Sequence, residues 1–170
     1  MAARTLRIAF DTNCFIDANN PQSQAFRPLQ EVLHWRDSGR VHIMVSRHTL
    51  HQLERKADDA LKLAKTSEIL PYYPIGTIDE QVATIAQLAG TWDDARRNEA
   101  IQEDLQRLAK SGTDIRDRGA YIDALSAKVD IFVTSDRQLA GSGPASRISA
   151  KYGLRILTPL QFVEELHGNP

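Results

Sequence analysis

Four short apolar runs, TLRIAF, VHIMV, DIFVT and LRILT, recur along the chain with helical patterns between them. That alternation constrains the fold more than any other feature. Runs that are apolar throughout suit strands buried on both faces, and strands separated by helices favour parallel pairing. The linking segments fit this reading. After the polar NNPQSQAFRP, the stretch LQEVLHWRDSG places Leu29, Val32, Leu33 and Trp35 on a helix ending near Gly39. Ser46 is placed to cap a helix over HTLHQLERKADDALKLAK, in which Leu50, Leu53, Ala57, Leu61 and Ala64 fall near helical spacing, and the Pro-rich ILPYYPIG breaks it. TIDE at Thr77 and TWDD at Thr91 match an S/T-x-x-acid helix start and predict helices at roughly 78–89 and 92–110. A further helix is expected from Asp117 to Lys128, another around SRISAKY, and a last one, opened by Pro159, over PLQFVEEL. The expected fold is therefore α/β: one domain over residues 1–170 with a mostly parallel sheet covered on both faces, and a charged helical segment at about 77–110.

Composition enters as a set of exclusions. A chain with 42% hydrophobic and 25% charged residues can build an ordinary core, which excludes wholesale disorder. A net charge of −1 argues against retention on nucleic acid by bulk positive charge, so any such contact needs locally placed Arg and Lys. The single cysteine, Cys14, cannot form an intrachain disulfide, and MAARTLRIAF lacks the apolar core of a secretory signal. No apolar run approaches the ~18–20 residues of a membrane span. The expectation is a cytoplasmic protein without a membrane partner.

Open parallel sheets gather ligands at the carboxyl ends of their strands. Asp11 follows RIAF there, and Asp136 follows IFVT. Either acid alone could merely cap the next helix. A third acid, Asp117, opens a helix on which Ala120, Ala124 and Ala127 share its face, a small-residue surface that allows close packing on a sheet. Asp123, six residues on, is rotated by roughly 240° and becomes the alternative if the helix register slips. Two carboxylates about 4 Å apart repel by on the order of 4 kcal/mol at an effective dielectric near 20. Either protonation or a hard oxygen-seeking cation such as Mg²⁺ or Mn²⁺ relieves that repulsion, and such a cation suits phosphodiester hydrolysis.

Several motifs together resemble the PIN domain family: DTNCFID, the helix start SRHTL, the spacing D-x-x-A-x-x-x-A leading into VDIFVTSD, and the closing LRILTPLQFVEEL. The likeness runs through nearly the whole chain in the right order, and VTSD with the ILTP ending is its most specific part. It implies a three-layer α/β/α fold and a metal-dependent nuclease, in most such proteins a ribonuclease, using Mg²⁺ or Mn²⁺. Asp11, Asp117 and Asp136 would form the acidic centre, with Asn13, Thr134 and Ser135 supporting it by hydrogen bonds. RNA is then the substrate, and the toxin half of a toxin–antitoxin pair, partnered by a protein antitoxin or a second copy of itself, fits the same description.

One position departs from the family. Where a glutamate usually lies on the helix after the second strand, SRHTLHQLER has Gln52. Glu54 is near in sequence but about 200° away on a helix, so it serves the site only through a shifted register. The substitution keeps a second reading open, a catalytically weak PIN-like domain that binds RNA or protein without cutting. A third, an unrelated α/β hydrolase or phosphatase, lacks a G-x-S-x-G elbow or a phosphate-cradling glycine loop. His48 and His51 have zinc-pair spacing but no further ligands, and Cys14 reads as a small apolar residue behind the first strand. Arg96, Arg97 and Arg107 suit a solvated helix, with phosphate contact as the lesser reading.

Overall fold

The structure is a computed structural model and describes residues 4–70, 93, 96–97, 99–101, 103–104, 107, 119–141 and 143–168. The helix expected at 78–89, most of the one at 92–110 and the start of the one at Asp117 lie outside them. β1 (Leu6–Phe10), β2 (Val41–Val45), β3 (Glu68–Ile69), β4 (Ile131–Val133) and β5 (Arg155–Leu157) form one sheet in the order β3-β2-β1-β4-β5. All pairings are parallel, and Phe10 stands opposite both Val45 and Val133. Side chains alternate across the strands: Ile8, Phe10, Ile43, Val45, Ile131 and Val133 enter one core, while Ala9, Met44 and Phe132 enter the other. Because both sets are apolar, the sheet is covered on both sides, giving three α/β/α layers.

The first core is closed by α1 (Thr12–Asp17), α2 (Phe26–Asp37), α3 (Arg47–Glu54) and α4 (Asp58–Ala64). Phe15 meets Phe10 edge-on, with ring centroids 5.4 Å apart, and each fully buried ring contributes roughly 2 kcal/mol or more. The second core is closed by α5 (Gly119–Ser126), whose Tyr121, Ala124 and Leu125 are buried, by Leu139 of α6 (Arg137–Ala140), and by Ile148 of α7 (Gly143–Lys151). α8 (Pro159–Gly168) returns to the first face and inserts Phe162 against Trp35.

The helices differ from the expected ones where short-range chemistry outweighs periodicity. α2 starts at Phe26 and carries Pro28 in its first turn, where a missing N–H costs no intrahelical bond. Ser46 does cap α3, accepting from Thr49 N at 3.0 Å. The single helix expected from there to Lys65 is two, because Ala57 is extended (φ −160°, ψ 95°). The charges reverse at that point: Arg55 and Lys56 follow the end of α3, and Asp58 and Asp59 open α4, each favourable to its own helix dipole. β3, after α4, was not expected at all.

The described positions between 93 and 107 are helical and fastened to the second face. Arg97 donates to Leu125 O at 2.6 Å and Tyr152 O at 3.2 Å, satisfying carbonyls at helix ends, and its guanidinium lies over the Tyr152 ring. Asp104 accepts from Lys151 Nζ and Tyr152 Oη, both at 2.7 Å, and these bonds hold its carboxyl below the ordinary range. Arg97 and Arg107, which pairs with Asp104 at 3.4 Å, are thus engaged within the fold; Arg96 is exposed. Among the described residues no helix is long and apolar enough to cross a membrane.

Candidate functional site

The strand order places a topological switch between β1 and β4. The chain runs outward from β1 through β2 to β3 on one side, and through β4 to β5 on the other. Segments leaving the carboxyl ends of β1 and β4 lead to opposite faces of the sheet, the position at which open parallel sheets gather ligands. Asp11-Thr12-Asn13 and Thr134-Ser135-Asp136 leave those two ends. The backbone keeps them together, since Asp11 N donates to Val133 O at 3.0 Å.

Thr134 organises the two acids. Its fully buried hydroxyl donates to Asp11 Oδ2 at 2.8 Å and accepts from Asp136 N at 3.0 Å. Asp11 Oδ1 accepts from Thr12 N at 2.7 Å, making this acid the N-cap of α1. Asp136 caps α6, its Oδ1 accepting from Gln138 N at 2.8 Å and Leu139 N at 3.2 Å. Both acids therefore cap helices, and both also stand at the switch point; the structural role and the site role coexist in the same carboxylates.

Gln52 reaches the same corner. Thr12 donates its hydroxyl to Gln52 Oε1 at 2.6 Å, and Thr12 Oγ1 lies 3.3 Å from Thr49 Oγ1. Ser46 Oγ completes the row, 3.2 Å from Thr49 Oγ1. The amide thus braces α1 against α3 immediately beside Asp11. Thr12, buried between the two helices, was not singled out from the sequence: a threonine after a capping acid carries no sign of a partner forty residues away. Glu54 is exposed at the end of α3, its Oε2 3.7 Å from His51 Nδ1. His48 is also exposed.

The remaining candidates divide. Asn13 is exposed on the first turn of α1. Ser135 is half-buried, with Oγ 3.9 Å from Cys14 Sγ. Cys14 is fully buried and donates to Val133 O at 3.3 Å; burial, with Asp11 nearby, pushes its thiol far above the ordinary range and removes it as a nucleophile at neutral pH. Asp123 is 4% exposed on α5, and burial pushes its carboxyl up to about 7 while Arg47 pulls it down. Asp117 lies outside the described residues. Among the described residues, no three His, Cys, Asp or Glu side chains gather as a metal-holding group. The structure brings together Asp11, Thr134, Asp136 and, through Thr12, Gln52. No protein-family model matches the chain, and no match to a curated protein is found.

Proposed function

We propose that the chain is a PIN-type endoribonuclease dependent on Mg²⁺ or Mn²⁺, acting in the cytoplasm as the toxin of a toxin–antitoxin pair. The observation that carries this reading is the adjacency of Asp11 and Asp136 at the carboxyl ends of β1 and β4, where one buried threonine hydroxyl bonds the carboxylate of the first and the backbone N–H of the second. Their oxygens fit a hard divalent cation in kind, and Mg²⁺ is commonly held by one or two carboxylates with water and substrate phosphate completing its shell. Asp11 and Asp136 would hold the ion, with Asp117 as the further acid. When bound, the ion supplies an activated water and offsets negative charge at phosphorus.

The described side chains have their own parts. Thr134 fixes the rotamer of Asp11 from one side, and Thr12 N fixes it from the other. The backbone N–H groups of α6 orient Asp136. Preorganisation of this kind avoids rearrangement as the reaction proceeds.

A second reading, a PIN-like domain that binds RNA or a protein without cutting, is favoured by Gln52. Its Oε1 is engaged by Thr12, so a neutral brace stands where the family usually carries an anion.

The test is hydrolysis and binding of RNA by the wild type and Asp11→Asn, each with Mn²⁺ and with EDTA. The nuclease reading expects hydrolysis only with Mn²⁺, and its loss by about two orders of magnitude or more in the variant with the fold retained. Unchanged Mn²⁺-dependent hydrolysis by Asp11→Asn sinks it. RNA binding without hydrolysis in the wild type selects the second reading.

A further inference from the structure

Beside the paired acids lies a cavity of ≈ 450 Å³, bounded by the end of α1, the loop at Ser23–Ala25 and the start of α8. Ser135, the residue between Thr134 and Asp136, lines it, so the cavity adjoins the segment that carries the second acid. The volume suits one small ligand and not a folded helix of nucleic acid.

Its lining is divided by chemistry. Arg137 supplies a guanidinium, exposed and donating to Gln24 Oε1 at 3.1 Å; among the described residues it pairs with no carboxylate. A guanidinium carries five donors in a fork suited to phosphate, so a single amide contact leaves that capacity largely available. Leu160 is 55% exposed and, with Pro159 and Ala25, gives an apolar wall. Asp17 adds a carboxylate, an acceptor suited to sugar hydroxyls. A phosphate donor, an apolar wall and a hydroxyl acceptor in one space of this size match the three parts of a nucleotide.

The acids next door sharpen the match. Arg137 directly follows Asp136, so a cation suited to phosphate stands next to the acids in the chain. We propose that this cavity is a subsite for one ribonucleotide of the strand reaching those acids, with Arg137 meeting the phosphate, Leu160 and Pro159 the base, and Asp17 the ribose hydroxyls. The assignment rests on the reading that RNA is the substrate, and it adds a place where a nucleotide binds without metal.

The experiment is calorimetric titration of the full chain in EDTA with the four 5′-ribonucleoside monophosphates, their deoxy counterparts and inorganic phosphate. At least one ribonucleotide should bind saturably and more tightly than both its deoxy form and phosphate. Arg137→Ala should weaken that binding about tenfold. Leu160→Asp, an exposed change in the first turn of α8 that a helix dipole favours, should weaken it to a similar degree. Asp17→Asn should narrow the difference between ribo and deoxy forms. Absence of saturable binding, equal affinity for ribo and deoxy forms, or binding indifferent to both Arg137→Ala and Leu160→Asp overturns the subsite. The two proposals fail separately. Nucleotide binding that responds to Arg137, together with unaltered hydrolysis by Asp11→Asn, removes the nuclease reading and keeps the subsite. Mn²⁺-dependent hydrolysis lost in Asp11→Asn, without nucleotide binding in EDTA, removes the subsite alone.

Discussion

Asp130 and Asp136 bracket the three residues of β4, and the two ends of that strand treat them differently. At the amino end, Asp130 accepts from Arg7 N at 2.8 Å and from the Arg4 guanidinium at 2.7 Å. At the carboxyl end, backbone N–H groups orient Asp136, and a threonine hydroxyl links it to Asp11. Asp130 is an acid matched to a cation, a pairing worth about 1 kcal/mol at an exposed site. Asp136 accepts backbone N–H groups of α6 at the position where parallel sheets hold ligands. Position along the strand, more than residue type, separates a fastening from a candidate site.

The largest effect expected is on activity. Asp11→Asn should lower Mn²⁺-dependent RNA hydrolysis by about two orders of magnitude or more, while Asp130→Asn leaves it within about twofold. Equal losses in side-by-side rate measurements would erase the distinction between the two strand ends.

Asp123 extends the comparison to an acid that is buried within a helix face. Unfolded, it ionises at the ordinary carboxyl value; folded, near 7. Between those values the native chain holds the extra proton, so stability falls as pH rises through the window and the penalty is complete above it. Asp123→Asn should therefore stabilise the protein by about 2–4 kcal/mol near pH 8, by roughly a third of that near pH 5 and by almost nothing near pH 3.5, read from urea unfolding at all three. A pH-independent difference would mean that Asp123 is already ionised in the fold.

Thr134→Val keeps the shape of the residue that joins the acids but leaves Asp136 N without its hydroxyl acceptor. A loss of about 1–2 kcal/mol in the same unfolding assay is expected, with hydrolysis reduced about tenfold or more as Asp11 loses its orienting bond. Full activity would assign Thr134 to the fold alone. The smallest effect belongs to Asp130→Asn, about 1 kcal/mol or less, and it should shrink further in high salt as the Arg4 pairing is screened.

The parts of the fold that were legible in the sequence are those carried by long patterns. The four apolar runs became β1, β2, β4 and β5, and the Ser46 cap and the Pro159 start stand where their chemistry placed them. α1 and α6 have six and four residues, too few turns to display a period, and depend on the acids that cap them. β3 has only two residues, Glu68 and Ile69, both exposed, and exists through its pairing with Met44 and Val45. The break at Ala57 was hidden because Leu53, Ala60 and Ala64 reach one core from both helices, so the apolar spacing carries across it. In the candidate site, the sequence placed Asp11 and Asp136 at the carboxyl ends of two strands; that those strands are neighbours comes from the sheet order. The Thr12–Gln52 bond was not legible, because it depends on how α3 packs against α1.

The hydrogen bond from Thr134 to Asp11 joins residues 123 positions apart. β1 can pair with β2 early in synthesis, but its other edge waits for β4, whose sequence emerges much later. A contact of such long range carries a large loop-closure cost and cannot form before residue 134 has been synthesised. The acidic corner is thus incomplete on a nascent chain and assembles only when the second half of the sheet docks. Chemistry that depends on both strand ends is delayed until then, a latency imposed by connectivity alone, with no inhibitor required.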